Sequence, residues 1–235
     1  QLTPEDVPTQ RDFDFASYSN ETEKSFCEKV EKVKSLARDG EIWVLNLAHE
    51  LSGMLANEET LFSAFGKFLQ LQKPHYGGIV FTKEQKICSF SPELFLQQHG
   101  KLISTFPIQG TGTRMYLEKS EKEKAELSMV TDLLRNDLGQ IAQRVWVERE
   151  RVLTDCQHFF HAHAEIFAEL ETPKLTWEHY RRLLPAGSIS GCPKVRVCRY
   201  IHELEDFDRK FFTGTFGVKF SPEESVFNIL IRTIF

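Results

Sequence analysis

The 235-residue sequence predicts an α+β fold, and three observations carry that reading. Several segments repeat apolar residues at helical spacing. Others are short β-branched or aromatic runs punctuated by Gly and Pro. The two kinds of element follow no regular strand–helix alternation, which argues against a doubly wound parallel sheet. With 41% hydrophobic and 27% charged residues, the chain has the composition of a globular protein, and its length supports a sizeable core.

The elements follow in order. Residues 1–21 are polar and turn-rich and read as an arm, which leaves 22–235 as the main domain. "ETEKSFCEKVEKVKSLARDGE" carries Phe26, Val30, Val33 and Leu36 at helical spacing, with Gly40 as its C-terminal stop. "IWVLNLAHEL" reads as a strand over 42–51, and "ETLFSAFGKFLQLQK" as a helix over 59–73. The stretch from Tyr76 to Thr111 reads as a set of short strands. "EKEKAELSMVTDLLRNDLGQIAQ" is the longest helical candidate, with Ala125, Met129, Leu133, Leu134 and Leu138 near one face. Residues 145–171 read mainly as strand, followed by helices in "TWEHYRRLL" and "PKVRVCRYIHELE". The final stretches "FFTGTFGVKF" and "SVFNILIRTIF" read as strands.

Charge and cysteine usage exclude several classes. A net charge of −5 and the lack of a dense Lys/Arg block argue against a nucleic-acid partner. Five scattered cysteines, odd in number and without CxxC spacing, argue against a disulfide framework or a structural zinc site and point to a reducing, cytoplasmic compartment. There is no basic-then-apolar leader and no long apolar run, so no membrane association is expected.

A few polar residues stand where a plain core would not place them. Arg232 interrupts the apolar run "FNILIRTIF"; it either points to solvent or, if buried, needs an anionic partner. His161 and His163 in "HFFHAHAEI" share one face of a strand, as metal-binding His-x-His pairs do, but without matching ligands they read as structural. The loop "LPAGSISGCPK", Leu184 to Lys194, places two glycines and two serines before an amphipathic helix. It suits a tight turn with a capped helix, and equally an anion approaching unpaired backbone N–H groups.

The order of the pieces is more specific than any one of them. "GEIWVLNL", "SPELF", "PIQGTGTR", "EKEKAELSMVTDLLRNDLG", "HAHAEIFAEL", "PAGSISGCPKVR", "FTGTFG" and "NILIRT", in that sequence, resemble the chorismate-utilising enzyme family over about residues 22–235. That family includes the synthase subunits of anthranilate and aminodeoxychorismate synthases. The resemblance implies extended, mostly antiparallel sheets flanked by helices. Its implied activity is amination of chorismate to 4-amino-4-deoxychorismate, with ammonia from a glutamine amidotransferase subunit and Mg²⁺ as cofactor. Anthranilate formation and a non-catalytic chorismate-binding remnant are the alternatives.

The resemblance also implies roles. Glu93 of "SPE" is the general acid for loss of the C4 hydroxyl, His161 is an active-site histidine, and Thr111 binds substrate. Ser190, Gly191 and Lys194 present backbone and ammonium to a substrate carboxylate, with glycine leaving room for that approach. Arg232 binds the pyruvyl carboxylate, and Glu126 is a Mg²⁺ ligand. Four positions depart from the pattern. Gln109 stands where an aminodeoxychorismate synthase has a nucleophilic Lys, Leu127 replaces a His, and Ala164 replaces a Ser. Val44 stands where isochorismate-type enzymes have a water-activating Lys, which disfavours water attack. The family pattern continues through a Gly-rich strand and a helix bearing a second metal glutamate, so the domain 22–235 is expected to be incomplete at its C-terminus.

Overall fold

The computed structural model describes residues 21–53, 65–66, 74–156 and 159–235. Helix α1 (Glu23–Arg38) starts at Thr22, whose hydroxyl accepts the Ser25 N–H at 3.2 Å. It ends before Gly40, which takes φ +74° as the expected left-handed stop. None of its residues is fully buried, so its apolar stripe is left for a cavity wall rather than the core.

The strand expected over 42–51 is only β1 (Val44–Leu45), whose strand partner among the described residues is the equally short β9 (Gly191–Cys192). The helix expected over 59–73 lies outside the described residues apart from Phe65 and Gly66, as does the arm 1–21 apart from Glu21. The stretch read as short strands holds β2 (Gly78–Phe81), β3 (Lys86–Ser89), β4 (Leu94–His99), β5 (Leu102–Phe106) and β6 (Ile108–Gly112). Residues 145–171 form a long hairpin of β7 (Arg144–Asp155) and β8 (Phe160–Glu169).

All described pairings are antiparallel, in line with the mostly antiparallel sheets that the resemblance implies. A seven-stranded sheet runs β10 (Thr215–Ser221), β11 (Glu224–Ile229), β4, β5, β8, β6, with β7 on β8. A three-stranded sheet runs β12 (Thr233–Ile234), β3, β2.

The final apolar run is therefore two strands in two sheets. The chain leaves the large sheet after Ile229 and enters the small one at Thr233, with Arg232 at the corner in φ +49°. This corrects the expectation of one continuous strand, and of the two alternatives for Arg232 the solvent-facing one holds. Arg232 is exposed because the corner turns it out of both sheets.

The helices are α2 (Arg114–Lys119), α3 (Glu121–Gly139), α4 (Trp177–Leu183), the single turn α5 (Gly187–Ser190) and α6 (Lys194–Leu204). Ser120 caps α3 by accepting the Glu123 N–H at 3.3 Å. Leu127, Val130, Leu134 and Leu138 of α3 pack on Leu96, Ile103, Ala164 and Ile166 of the large sheet. The buried face is thus offset from the expected one: Ala125 and Met129 are exposed, and Leu127 is core. Each of these leucines contributes about 1.5–3 kcal/mol of burial. Ala164 is fully buried under the helix, where a small side chain lets α3 come close to β8. The helix and sheet thereby hold Gln109, Glu126 and His161 in fixed relation.

Candidate functional site

A cavity of about 410 Å³ opens between α1, β1, β6, α3 and α5. Val30 and Val44 give it apolar walls, while Gln109, Glu126, Ser188 and Gly191 supply polar side chains and backbone. Behind the α5 wall lies Glu93, only 4% exposed, at the turn that leads into β4. Ser91 fixes that turn by accepting the Glu93 N–H at 3.2 Å. Burial raises the Glu93 carboxyl to about 7, while hydrogen bonds from the Ser188 side chain and the Ile108 backbone pull the other way. Glu93 thus holds its proton up to near-neutral pH. A carboxylic acid in that condition can donate to a leaving oxygen.

His161 sits on β8, directly across from Thr111 on β6, and its Nδ1 lies 2.8 Å from the Thr111 Oγ1. Burial, then the charges of Arg232, His163 and His75, lower its pKa to about 4. Its ring is therefore neutral at pH 7, and Thr111 fixes its orientation. The Phe159 ring meets His161 edge-on at 5.0 Å, and the Arg232 guanidinium lies 6.0 Å from the centre of the same ring. Arg232, Phe159 and His161 are thus neighbours, but none of them, nor Thr111 or Glu93, is among the residues that line the cavity. His163 pairs with Glu165 at 3.6 Å, which supports the structural reading of that histidine. Among the described residues, no cluster of three or more His, Cys, Asp or Glu side chains is placed to hold a metal.

The turn 184–194 serves the fold more than its motif implies. Lys194, expected to face a carboxylate, instead directs its ammonium to Asp137 at 2.6 Å and to the Leu183 carbonyl at 3.0 Å. Asp137 is buried on α3; desolvation raises its pKa against the pull of Lys194. Ser190 donates its hydroxyl to the Ala186 carbonyl at 2.9 Å and closes the single turn of α5. Gly191 adopts φ +128°, and a Cβ there would stand 2.1 Å from the Val44 carbonyl oxygen. Glycine is required by the β1–β9 contact, a reason the sequence does not disclose.

Glu126 lines the cavity with its side chain about one-third exposed, and Lys122 approaches it at 3.6 Å, beyond a normal hydrogen bond. Its carboxylate can turn to a cation. A Mg²⁺ ion keeps several waters and needs only one or two protein carboxylates, so Glu126 fits such an ion as a single ligand. Gln109, on the same wall, directs its Nε2 toward the Ser188 carbonyl at 3.5 Å. Sequence reasoning missed Ser188 and Asp137. Their roles come from contacts spanning 79 and 57 residues, and only the Asp in "RND" beside the Lys in "CPK" offered a signal.

Comparisons with known proteins fit this arrangement. A family model described as chorismate binding enzyme matches residues 2–235. Aminodeoxychorismate synthase component 1 of Bacillus subtilis (strain 168) is 31% identical over 227 residues, covering 91% of this chain and 48% of the relative. Anthranilate synthase component 1 1 of Haloarcula marismortui is 30% identical over 243 residues, covering 98% and 49%. Among solved structures, anthranilate synthase component I from Streptococcus pneumoniae TIGR4 superposes with a TM-score of 0.82 at 26% identity, over 97% of this chain and 54% of that one. The chain spans about half the length of the curated relatives it matches.

Proposed function

We propose, from the premise that this chain belongs to the chorismate-binding enzyme family, that it carries a chorismate site for amination to 4-amino-4-deoxychorismate. The observation that carries the reading is Glu93: a buried carboxyl, raised to about 7, behind the wall of a cavity large enough for a small ring. Loss of the C4 hydroxyl needs a proton, and Glu93 supplies it so that the group departs as water. Thr111 and neutral His161 orient the ring. Arg232, at the exposed corner, pairs with the pyruvyl carboxylate. The backbone of the Ser190–Gly191 turn borders the ring carboxylate, while Lys194 holds that turn through Asp137.

Glu126 would hold Mg²⁺ together with water and the substrate carboxylate. That ion, when bound, supplies charge neutralisation of the ring carboxylate. The likeness to component 1 synthases supports a glutamine amidotransferase subunit as the source of ammonia.

One observation favours a second reading, anthranilate formation. Gln109 carries an amide, which is no nucleophile, and its nitrogen is turned toward Ser188. A covalent step at C2 is then closed, and direct entry of ammonia is left. Incubation of the chain with chorismate, ammonium and Mg²⁺, with products separated by chromatography, decides between the readings. 4-Amino-4-deoxychorismate supports the first, anthranilate the second, and chorismate left intact overturns both.

A further inference from the structure

The β1–β9 ladder stops part-way along the cavity wall that it begins. Among the described backbone bonds its last runs from the Asn46 N–H to the Ser190 carbonyl at 3.0 Å, yet Asn46 and Leu47 line the cavity together with Val44 and Leu45. Side chains take over there. Arg209 donates from Nη2 to the Asn46 carbonyl at 2.6 Å, and the Ala48 N–H donates to Glu205 Oε1 at 2.8 Å. The same two side chains bind each other in a bidentate pair, Nε to Oε2 at 2.8 Å and Nη2 to Oε1 at 2.6 Å. The Glu205 side chain is 2% exposed and that of Arg209 15%, so water competes little for these bonds.

We propose that Glu205 and Arg209 are positioning residues for the cavity: their ion pair holds the Asn46 carbonyl and the Ala48 N–H, and so sets the wall formed by Val44 to Leu47. The consequence for chorismate rests on the reading of this cavity as its site.

A pair of this kind does more for position than for stability. Desolvation offsets most of the attraction within a buried ion pair, so apolar residues of similar volume would hold the fold about as well. They could not hold two backbone groups. Arg209 is itself fixed, with its guanidinium 5.6 Å from the centre of the Phe212 ring and Nη1 reaching Thr213 Oγ1 at 3.5 Å. Its planar fork serves a carboxylate and a carbonyl at once, which the point charge of a lysine does less well. Asp206, next in the chain, accepts the Lys29 ammonium at 2.6 Å. The same turn thereby also fastens α1, which contributes Phe26 and Val30 to the cavity.

The test uses the full chain as Glu205→Leu/Arg209→Met, which removes both holds without stranding a buried charge, and as Arg209→Lys, which keeps the charge opposite Glu205. Each is checked for native folding by circular dichroism. In the double variant amide exchange should quicken at least about tenfold at Asn46 and Ala48, with the amides of β4 and β5 unchanged; Arg209→Lys should show at least about threefold. With chorismate, ammonium and Mg²⁺, the double variant should raise KM for chorismate about tenfold with kcat within about threefold, and Arg209→Lys should lie between it and the parent. Unchanged exchange at Ala48 in the folded double variant overturns the proposal, and so does exchange quickened equally across β4 and β5. If the double variant does not fold, unchanged exchange in Arg209→Lys overturns it. Faster exchange at Ala48 with an unmoved KM, in a chain that turns over, also overturns it. The exchange readout needs no substrate. Faster exchange confined to Asn46 and Ala48 in a chain without turnover therefore upholds the hold on the wall and counts against the chorismate reading alone.

Discussion

The ammonium of Lys194 lies 2.6 Å from the Asp137 carboxylate, joining the first residue of α6 to the buried face of α3. The Asp137 side chain is 4% exposed and that of Lys194 17%, so the pair is a buried one that helps fix the turn carrying Ser188 and Gly191. Asp137→Ala strands the ammonium and should cost about 3–5 kcal/mol in urea unfolding. The double variant Asp137→Leu/Lys194→Met should recover much of that loss. Full additivity of the single losses would show that the two groups do not depend on each other.

Two glycines share left-handed backbone but differ in surroundings. Gly191→Ala adds a Cβ 2.1 Å from the Val44 carbonyl, whereas Gly40→Ala at φ +74° meets nothing within 4 Å. Gly40→Ala should cost about 1 kcal/mol. Gly191→Ala should cost more than that, and should also disrupt the β1–β9 contact, visible as faster amide exchange at Trp43 and Asn46.

His161 should remain neutral well below pH 6.5. Because its folded pKa is depressed to about 4, the unfolded chain takes up a proton first as pH falls. Its contribution to stability is present above about 6.5 and is lost between there and about 4. Nuclear magnetic resonance titration of the ring checks this directly. Arg232→Ala removes the charge that ranks second in the shift and should move the His161 midpoint upward. An unmoved midpoint would separate Arg232 from the site.

Gln109→Lys probes the sharpest departure from the family pattern. A lysine there would stand on the cavity wall in place of an amide. If it is kept unprotonated, it should raise formation of 4-amino-4-deoxychorismate and suppress anthranilate, measured together with external ammonium. No change in either product would show that position 109 does not reach C2.

Much of the fold was legible because local signals sufficed. The cap at Thr22, the stop at Gly40 and the alternation that builds the β7–β8 hairpin each act within a few residues. What the sequence concealed depends on distant partners. The buried face of α3 turned toward Leu127 and Val130 because the sheet, not the helix pattern alone, selects the face. Arg232 looked like a strand cation, but the switch between two sheets puts it on an exposed corner. The facing of Thr111 and His161 was hidden for the same reason, since register across β6 and β8 decides it.

The most direct test of the account is turnover of chorismate with ammonium and Mg²⁺ by the full chain and by Glu93→Gln, from pH 5 to 9. Glu93 is an acid whose proton is retained up to about 7. The rate should therefore decline as pH rises through that value, as the carboxyl gives up its proton. In Glu93→Gln turnover should be abolished while calorimetric chorismate affinity stays within about threefold, because the amide keeps the shape and removes the donor. A Glu93→Gln variant that turns over at the parent rate, with the same decline above neutral pH, would contradict the assignment of Glu93 as the acid.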